Sequence, residues 1–323
     1  MIARLLQGYR LPPPLTTGAL CFYPNIYGAT LSLMRARVLA PFALLLLATP
    51  AARAEVIVRG GSARYTQDIV EALRKEAGAR GASVDVVELA GVAATDQARI
   101  ARFAAAHDAL FAVGPQAVVA AGAAVEASRT AHVVALGVPN PDRVKVKATY
   151  VAFYPPLLPL FRWMAARFEA RTFGFLYTPS QNAAVAAAFE EAAKAAGATL
   201  RTIPAASSGE LVRGLKALRE VDVLLCPVDP LLFDRESLRI VTDEARAAKK
   251  PLLGFLPDMP QLGFTAALVS APEAVARAAW QASRGAAPAE AKIHEVDGLM
   301  LYITKDQTTS VDLAEKPGER RRR

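Results

Sequence analysis

The sequence predicts an α/β protein made of two Rossmann-like lobes, each built on a parallel sheet, with a cleft between the lobes. Three observations carry that expectation. Short β-rich runs alternate with Ala-rich helical stretches from about residue 55 onward, the pattern of βαβ units around a parallel sheet. The alternation runs through twice, separated by an extended, Pro-bearing stretch around 151–155. About 260 residues remain for the two passages, which suits two lobes of ordinary size.

The elements follow in order. In the first passage "EVIVRG" (55–60) is a strand, and "YTQDIVEALRKEAGARG" (65–81) is a helix closed at Gly81. "SVDVVEL" (83–89) is the next strand, and "TDQARIARFAAAH" (95–107) the next helix. The strand "ALFAVG", the helix "QAVVAAGAAVEAS" and the strand "HVVALGV" complete the passage. "ATYVAFYPPLLPLFRWMAARFE" (148–169) starts extended, carries two adjacent prolines and ends as a helix, which suits a crossing into a second lobe. There "TFGFLYT", "TLRTIPA", "DVLLCPV" and "PLLGFL" read as strands. The helices between them are "NAAVAAAFEEAAKAAG", "SGELVRGLKALRE" (208–220) and "RESLRIVTDEARAAK". A second extended, Pro-bearing crossing is expected at 269–272.

An apolar run lies ahead of the first strand. "MRARVLAPFALLLLATPAARAEV" begins at Met34 with Arg35 and Arg37, continues apolar from Val38 to Ala48, breaks at Pro50 and ends in Ala52-Arg53-Ala54. That order describes a cleavable secretory signal with cleavage after Ala54, and the apolar part is too short to span a bilayer. Residues 1–33 show no amphipathic period, so translation is expected to start at Met34 and the mature chain at Glu55, in the periplasm. Cys21 follows Leu20 and has no apolar segment upstream, which argues against a lipid anchor there.

The expected organisation is an upstream segment and signal over 1–54, a first lobe over 55–150 and a second lobe over 151–270. A segment at 271–313 returns toward the first lobe, and a disordered basic tail occupies 314–323.

The formal charge of +8 comes from the termini. Five arginines and no acids fall in 1–54, and four more arginines close the chain, which leaves the body near −1. A basic face for nucleic acid is therefore not expected. Cys226 is the only cysteine beyond residue 54 and sits in an apolar run, so it reads as a buried, inert thiol. His107, His132 and His294 lack metal-ligand spacing, "HEVDG" (294–298) reads as a polar turn, and no G-x-S-x-G elbow or phosphate loop occurs. Neither catalysis nor a metal or cofactor is expected.

Ligands of open α/β sheets bind beyond the carboxyl ends of the strands. The loops there are 60–65, 114–116, 137–141, 177–182, 227–230 and 255–263, rich in Gly, Pro, Ser, Asn and Asp. These residues also serve ordinary turns and caps. Helix starts after "GGS" and "TPSQN" would suit a carboxylate, and Asp229 and Asp258 could balance an ammonium group.

The run from "FGFLYTPSQNAA" through "VDVLLCPVDPLLF" and "KKPLLGFLPDMPQLGFTAALVSAPEAVARAAWQASRG" resembles the ABC-transporter substrate-binding family that includes tryptophan- and tyrosine-binding lipoproteins. The resemblance covers most of 150–313 and extends more loosely over 55–150. It implies a periplasmic-binding-protein fold with a small, polar, amino-acid-like molecule in the interlobe cleft. It implies pocket roles for Ser62 and Tyr65, for Asn140, for Ser180 and Asn182, for Asp229, and for Phe255 and Asp258. Gly114-Pro115 stands where that family commonly has a Thr hydroxyl, and no lipid-attachment Cys follows the signal. Two roles fit, both for a monomer: delivery of the solute to an ABC permease, or a sensor module reporting to a membrane partner without transport.

Overall fold

The computed structural model describes residues 54–61, 63–91, 93–128, 131–285, 290–304, 307–311 and 313. The expected signal through Arg53, Ser62 and the tail at 314–323 lie outside the described residues.

Two sheets organise the chain. The first takes β1 (Ala54–Arg59), β2 (Ser83–Glu88), β3 (Ala109–Val113), β4 (His132–Leu136), β5 (Thr149–Val151) and β11 (Lys292–His294). Their spatial order is β2-β1-β3-β4-β5-β11, and every pairing is parallel. β3 and β4 lie centrally and are buried at all five positions, which is why "ALFAV" and "HVVAL" are nearly continuous apolar runs. Helices α1 (Arg64–Ala79), α2 (Ala93–Ala104) and α3 (Pro115–Ser128) make the crossovers.

The second sheet repeats the plan with β6 (Thr172–Tyr177), β7 (Thr199–Pro204), β8 (Val223–Leu225), β9 (Leu252–Gly254) and β10 (Ala266–Ser270), ordered β7-β6-β8-β9-β10 and parallel. Helices α4 (Leu157–Phe168), α5 (Pro179–Ala195), α6 (Ser208–Gly214), α7 (Pro230–Phe233) and α8 (Arg235–Ala247) accompany it. The single helix expected over 208–220 is divided: α6 ends at Gly214 and a 3₁₀ helix covers Leu215–Glu220. Gly214, at the division, packs closely on β7: a Cβ there would approach Ile203 to 2.7 Å. Phe161, Phe173, Phe175 and Phe189 fill the core of this lobe edge to face or tilted, with centroids 4.7–6.0 Å apart.

The segment 271–313 does not stay with the first lobe. Helix α9 (Pro272–Ala282) packs on α1, its Trp280 ring 5.2 Å from Phe111, and β11 then pairs with β5. The chain next leaves for the other sheet, where β12 (Leu299–Thr304) lies antiparallel to β10 and β13 (Gln307–Val311) antiparallel to β12. An antiparallel strand needs no helical crossover, so the chain can finish the second sheet directly. The "HEVDG" stretch is accordingly the end of β11 and a third crossing.

The three crossings are bonded to one another. The Ala152 amide donates to the His294 carbonyl at 2.8 Å, and the Ala271 amide to the Gly298 carbonyl at 3.2 Å. The Ser270 hydroxyl, fully buried, donates to the Phe153 carbonyl at 3.0 Å. Backbone pairing of this kind satisfies groups that would otherwise be orphaned where regular structure ends.

Candidate functional site at the facing sheet ends

The first two crossings leave from the carboxyl ends of β5 and β10, so the carboxyl-end loops of both sheets lie toward the junction. Among the described residues, Arg143, Asn140 and Arg64 reach from the first lobe to loops and helix starts of the second there. Arg143, in a 3₁₀ turn at Pro141–Arg143, donates from Nη1 to the Ser180 carbonyl at 2.8 Å. Asn140 donates from Nδ2 to the neighbouring Gln181 carbonyl. Arg64, the first residue of α1, places Nη1 3.7 Å from Asp258 Oδ1 and its guanidinium 6.0 Å from the Tyr302 ring centroid.

Asp68, one turn further along α1, lies 4.0 Å from Arg64 Nε. Burial raises its carboxyl above the usual range; Arg64 opposes that shift, and Asp258 and Glu273 add to it.

The first-lobe loops approach one another through backbone. The Gly60 amide donates to Val113, and the Gly114 amide to Leu136 at 2.8 Å. Gly114 has φ +93°, and a Cβ there would stand 2.9 Å from the Gly60 carbonyl oxygen. A Thr at this position would collide with the adjacent loop, which accounts for the glycine in physical terms.

Two helix starts lie in this region. Neither Ala63 before α1 nor Thr178 before α5 makes a side-chain cap, and neither first turn holds an acid. Thr178 is diverted: its hydroxyl donates to Asp229 Oδ1 and its amide to Oδ2, both at 2.7 Å. At α5 Pro179 has no N–H and the Gln181 and Asn182 amides donate to the Thr178 carbonyl, so the open amides that favour negative charge are chiefly those of α1.

Asp229 is the hub of that arrangement. It is fully buried, and its carboxylate accepts four hydrogen bonds, from Thr178 twice, from Asn182 Nδ2 at 2.8 Å and from the Leu231 amide at 3.0 Å. The last of these caps α7. All four donors belong to its own lobe, so the bonds make Asp229 a cap and a tie rather than a free counter-charge for an ammonium group. Asn182 is likewise buried, bonds Asp229 and the Val228 carbonyl, and departs from helical geometry at φ −130° and ψ 21°.

The remaining expected pocket residues divide. Tyr65 is buried, with its hydroxyl donating to the Ser270 carbonyl at 3.1 Å and its ring 5.6 Å from Phe153, so it braces the crossing. Burial pushes its phenol up, which keeps it a neutral donor. Phe255 is core, packed 5.1 Å from Tyr154 and 5.5 Å from Phe189. Ser180 is exposed at the rim, and Asp258 is half-exposed opposite Arg64. Arg64, Arg143 and Thr178 were missed by the sequence reading. Arg64 lay inside the 60–65 loop as a charge with no period to mark it, and Arg143 two residues beyond the end of the 137–141 loop.

Among the described residues no group of three or more His, Cys, Asp or Glu could hold a metal, and no helix is long and apolar enough to cross a membrane. Cys226 is buried, and burial raises its thiol.

No protein-family model matches the chain, and no curated protein matches it. Solved structures do. CD0873, a substrate binding protein with adhesive properties from Clostridium difficile, superposes in its open structure with a TM-score of 0.59 and 18% identity, over 77% of this chain and 91% of that one. This is the periplasmic-binding-protein fold. A conserved domain protein from Vibrio cholerae O1 biovar El Tor shares it at TM-score 0.50 and 16% identity, over 78% and 92% of the two chains. A LacI transcriptional regulator from Rhodococcus species also matches, at TM-score 0.46 and 13% identity over 80% and 97%. At such identities the likeness shows the periplasmic-binding-protein fold alone.

Proposed function

We propose that this chain is a periplasmic solute-binding protein that closes on a small, polar, amino-acid-like molecule and delivers it to an ABC importer. One observation carries the reading: side chains of the first lobe grip the second lobe where the carboxyl ends of two parallel sheets face each other. A solute touching both lobes there would bind the closed arrangement better and shift the population toward it. The open start of α1 supplies donors for a carboxylate. The description of CD0873 as a substrate binding protein agrees with this role. The signal ending at Ala54 supports export, and the protein works as a monomer without cofactor or metal, its partner a permease in the inner membrane.

A thermal-shift screen against amino acids and other small metabolites tests the proposal. A true solute at about 100 times its dissociation constant adds about 2.7 kcal/mol of stability, and a screen in which no small polar molecule raises the melting temperature overturns it. Protein recovered from the periplasm should begin at Glu55. Cellular uptake of the identified solute should fall when the chain is removed, and unchanged uptake would reject delivery to an importer.

A further inference from the structure

We propose that Asn140 and Arg143 form a closure latch that grips main chain, so that the balance between open and closed lobes is partly set by the protein itself and not by the solute alone. Both side chains rise from one short turn after β4, and both donate to consecutive carbonyls, Gln181 and Ser180, at the start of α5. Each bond runs directly from protein to protein, so whatever fills the cleft is not part of it. Arg143 brings a charge to its carbonyl, which makes its bond the stronger kind.

The receiving turn is itself held. Thr178 and Asn182 bracket the two accepting carbonyls, and both are tied to the buried Asp229 carboxylate. The helix departs from regular geometry at Asn182, directly after the acceptors. Asp229 is therefore a positioning residue for the latch: it fixes the turn that the first lobe grips and touches neither gripping side chain.

The latch rests on the solute-binding reading only for what closure accomplishes. A protein whose binding-competent state is populated to a fraction f binds every solute 1/f more weakly than the closed state would. Loss of the latch thus weakens all solutes by one common factor and leaves the preference among them unchanged.

The test needs no solute. Cysteines placed at Ala123 on α3 and Ala188 on α5, both exposed, carry nitroxide labels in the full chain with Cys21→Ser; Cys226 is buried and stays unlabelled. Dipolar distance distributions are recorded for this parent and for Asn140→Ala, Asn140→Asp, Arg143→Ala and the double variant. In Arg143→Ala the ratio of short to long distances should fall about tenfold, the size of one charge-assisted hydrogen bond, and further in the double variant. Asn140→Asp, which keeps the shape, loses the donor and sets a carboxylate against the Gln181 carbonyl, should open the lobes at least as far as Asn140→Ala. Asn140 is half-buried and Arg143 exposed, so a cooperative melting transition, lowered by no more than the lost latch accounts for, will show that the variants fold. Distributions identical to the parent in the double variant overturn the latch, as does an Asn140→Asp that behaves like the parent. A shifted distribution beside an empty thermal-shift screen would keep the latch and remove the solute-binding reading.

Discussion

The Ser270 hydroxyl donates to the carbonyl of Phe153, 117 residues earlier in the chain, at 3.0 Å, and both residues are buried. The same Ser270 accepts the Tyr65 hydroxyl on its own carbonyl. One residue thus joins the first crossing, the second crossing and the first helix. Ser270→Ala should cost about 1–2 kcal/mol by leaving the Phe153 carbonyl unpaired in a dry site. Tyr65→Phe should cost about 1 kcal/mol, because its ring still packs on Phe153. Urea denaturation measures both, and an unchanged midpoint for Ser270→Ala would deny the bond its role.

Asp229→Ala should destabilise the second lobe by about 2–4 kcal/mol, since it strips a cap and leaves buried donors of Thr178 and Asn182 without an acceptor. Had Asp229 served only a solute, the variant would weaken binding and leave the melting temperature alone. Differential scanning calorimetry separates the two outcomes.

Gly114→Ala should cost about 2 kcal/mol or more. The residue occupies φ +93°, which strains any side chain, and the new methyl would press on the Gly60 carbonyl, part of the backbone and unable to swing away. Gly78→Ala, in the exposed last turn of α1 with open space around its Cβ, should instead stabilise slightly. Equal midpoints for the two variants would contradict this account.

Asp68 gives a pH dependence of definite sign. Its pKa is raised in the folded state, chiefly by burial, so the unfolded chain ionises it more readily. The group therefore lowers stability as pH rises from about 4, the ordinary value, through its folded value, and the loss is complete above that. Asp68→Asn should be more stable than the parent at pH 7 and lose that advantage below about pH 4. Melting curves across this range check the sign, and a larger advantage at low pH would reverse it.

Much of the fold was legible because its strands are buried on both faces and bounded by Ala-rich helices. "ALFAV", "HVVAL" and "TFGFLY" announce themselves without help from partners. β11 and β13 did not, for a physical reason. "KIH" is three residues long at a sheet edge, and "QTTSV" is polar, also at an edge, so neither carries an apolar period. The site was less legible still. The sequence marks polar residues after strands but not the direction their bonds take. Asp229 looks inward to its own lobe, whereas Arg143, beyond the end of the expected loop, looks across to the other.

The third crossing delays the completion of both lobes to the end of synthesis. The first lobe is begun first, yet α9 and β11, which cover and extend its sheet, emerge only after all five parallel strands of the second. At about 5–20 residues per second on the ribosome, the interval between Val151 and His294 lasts roughly 7–29 seconds. Throughout that interval β5 has no neighbour on its outer edge, and for most of it Phe111 lacks Trp280. The amino-terminal half is thus an unfinished body while the later half is being made, and truncation anywhere before His294 removes part of the first lobe, not the second alone.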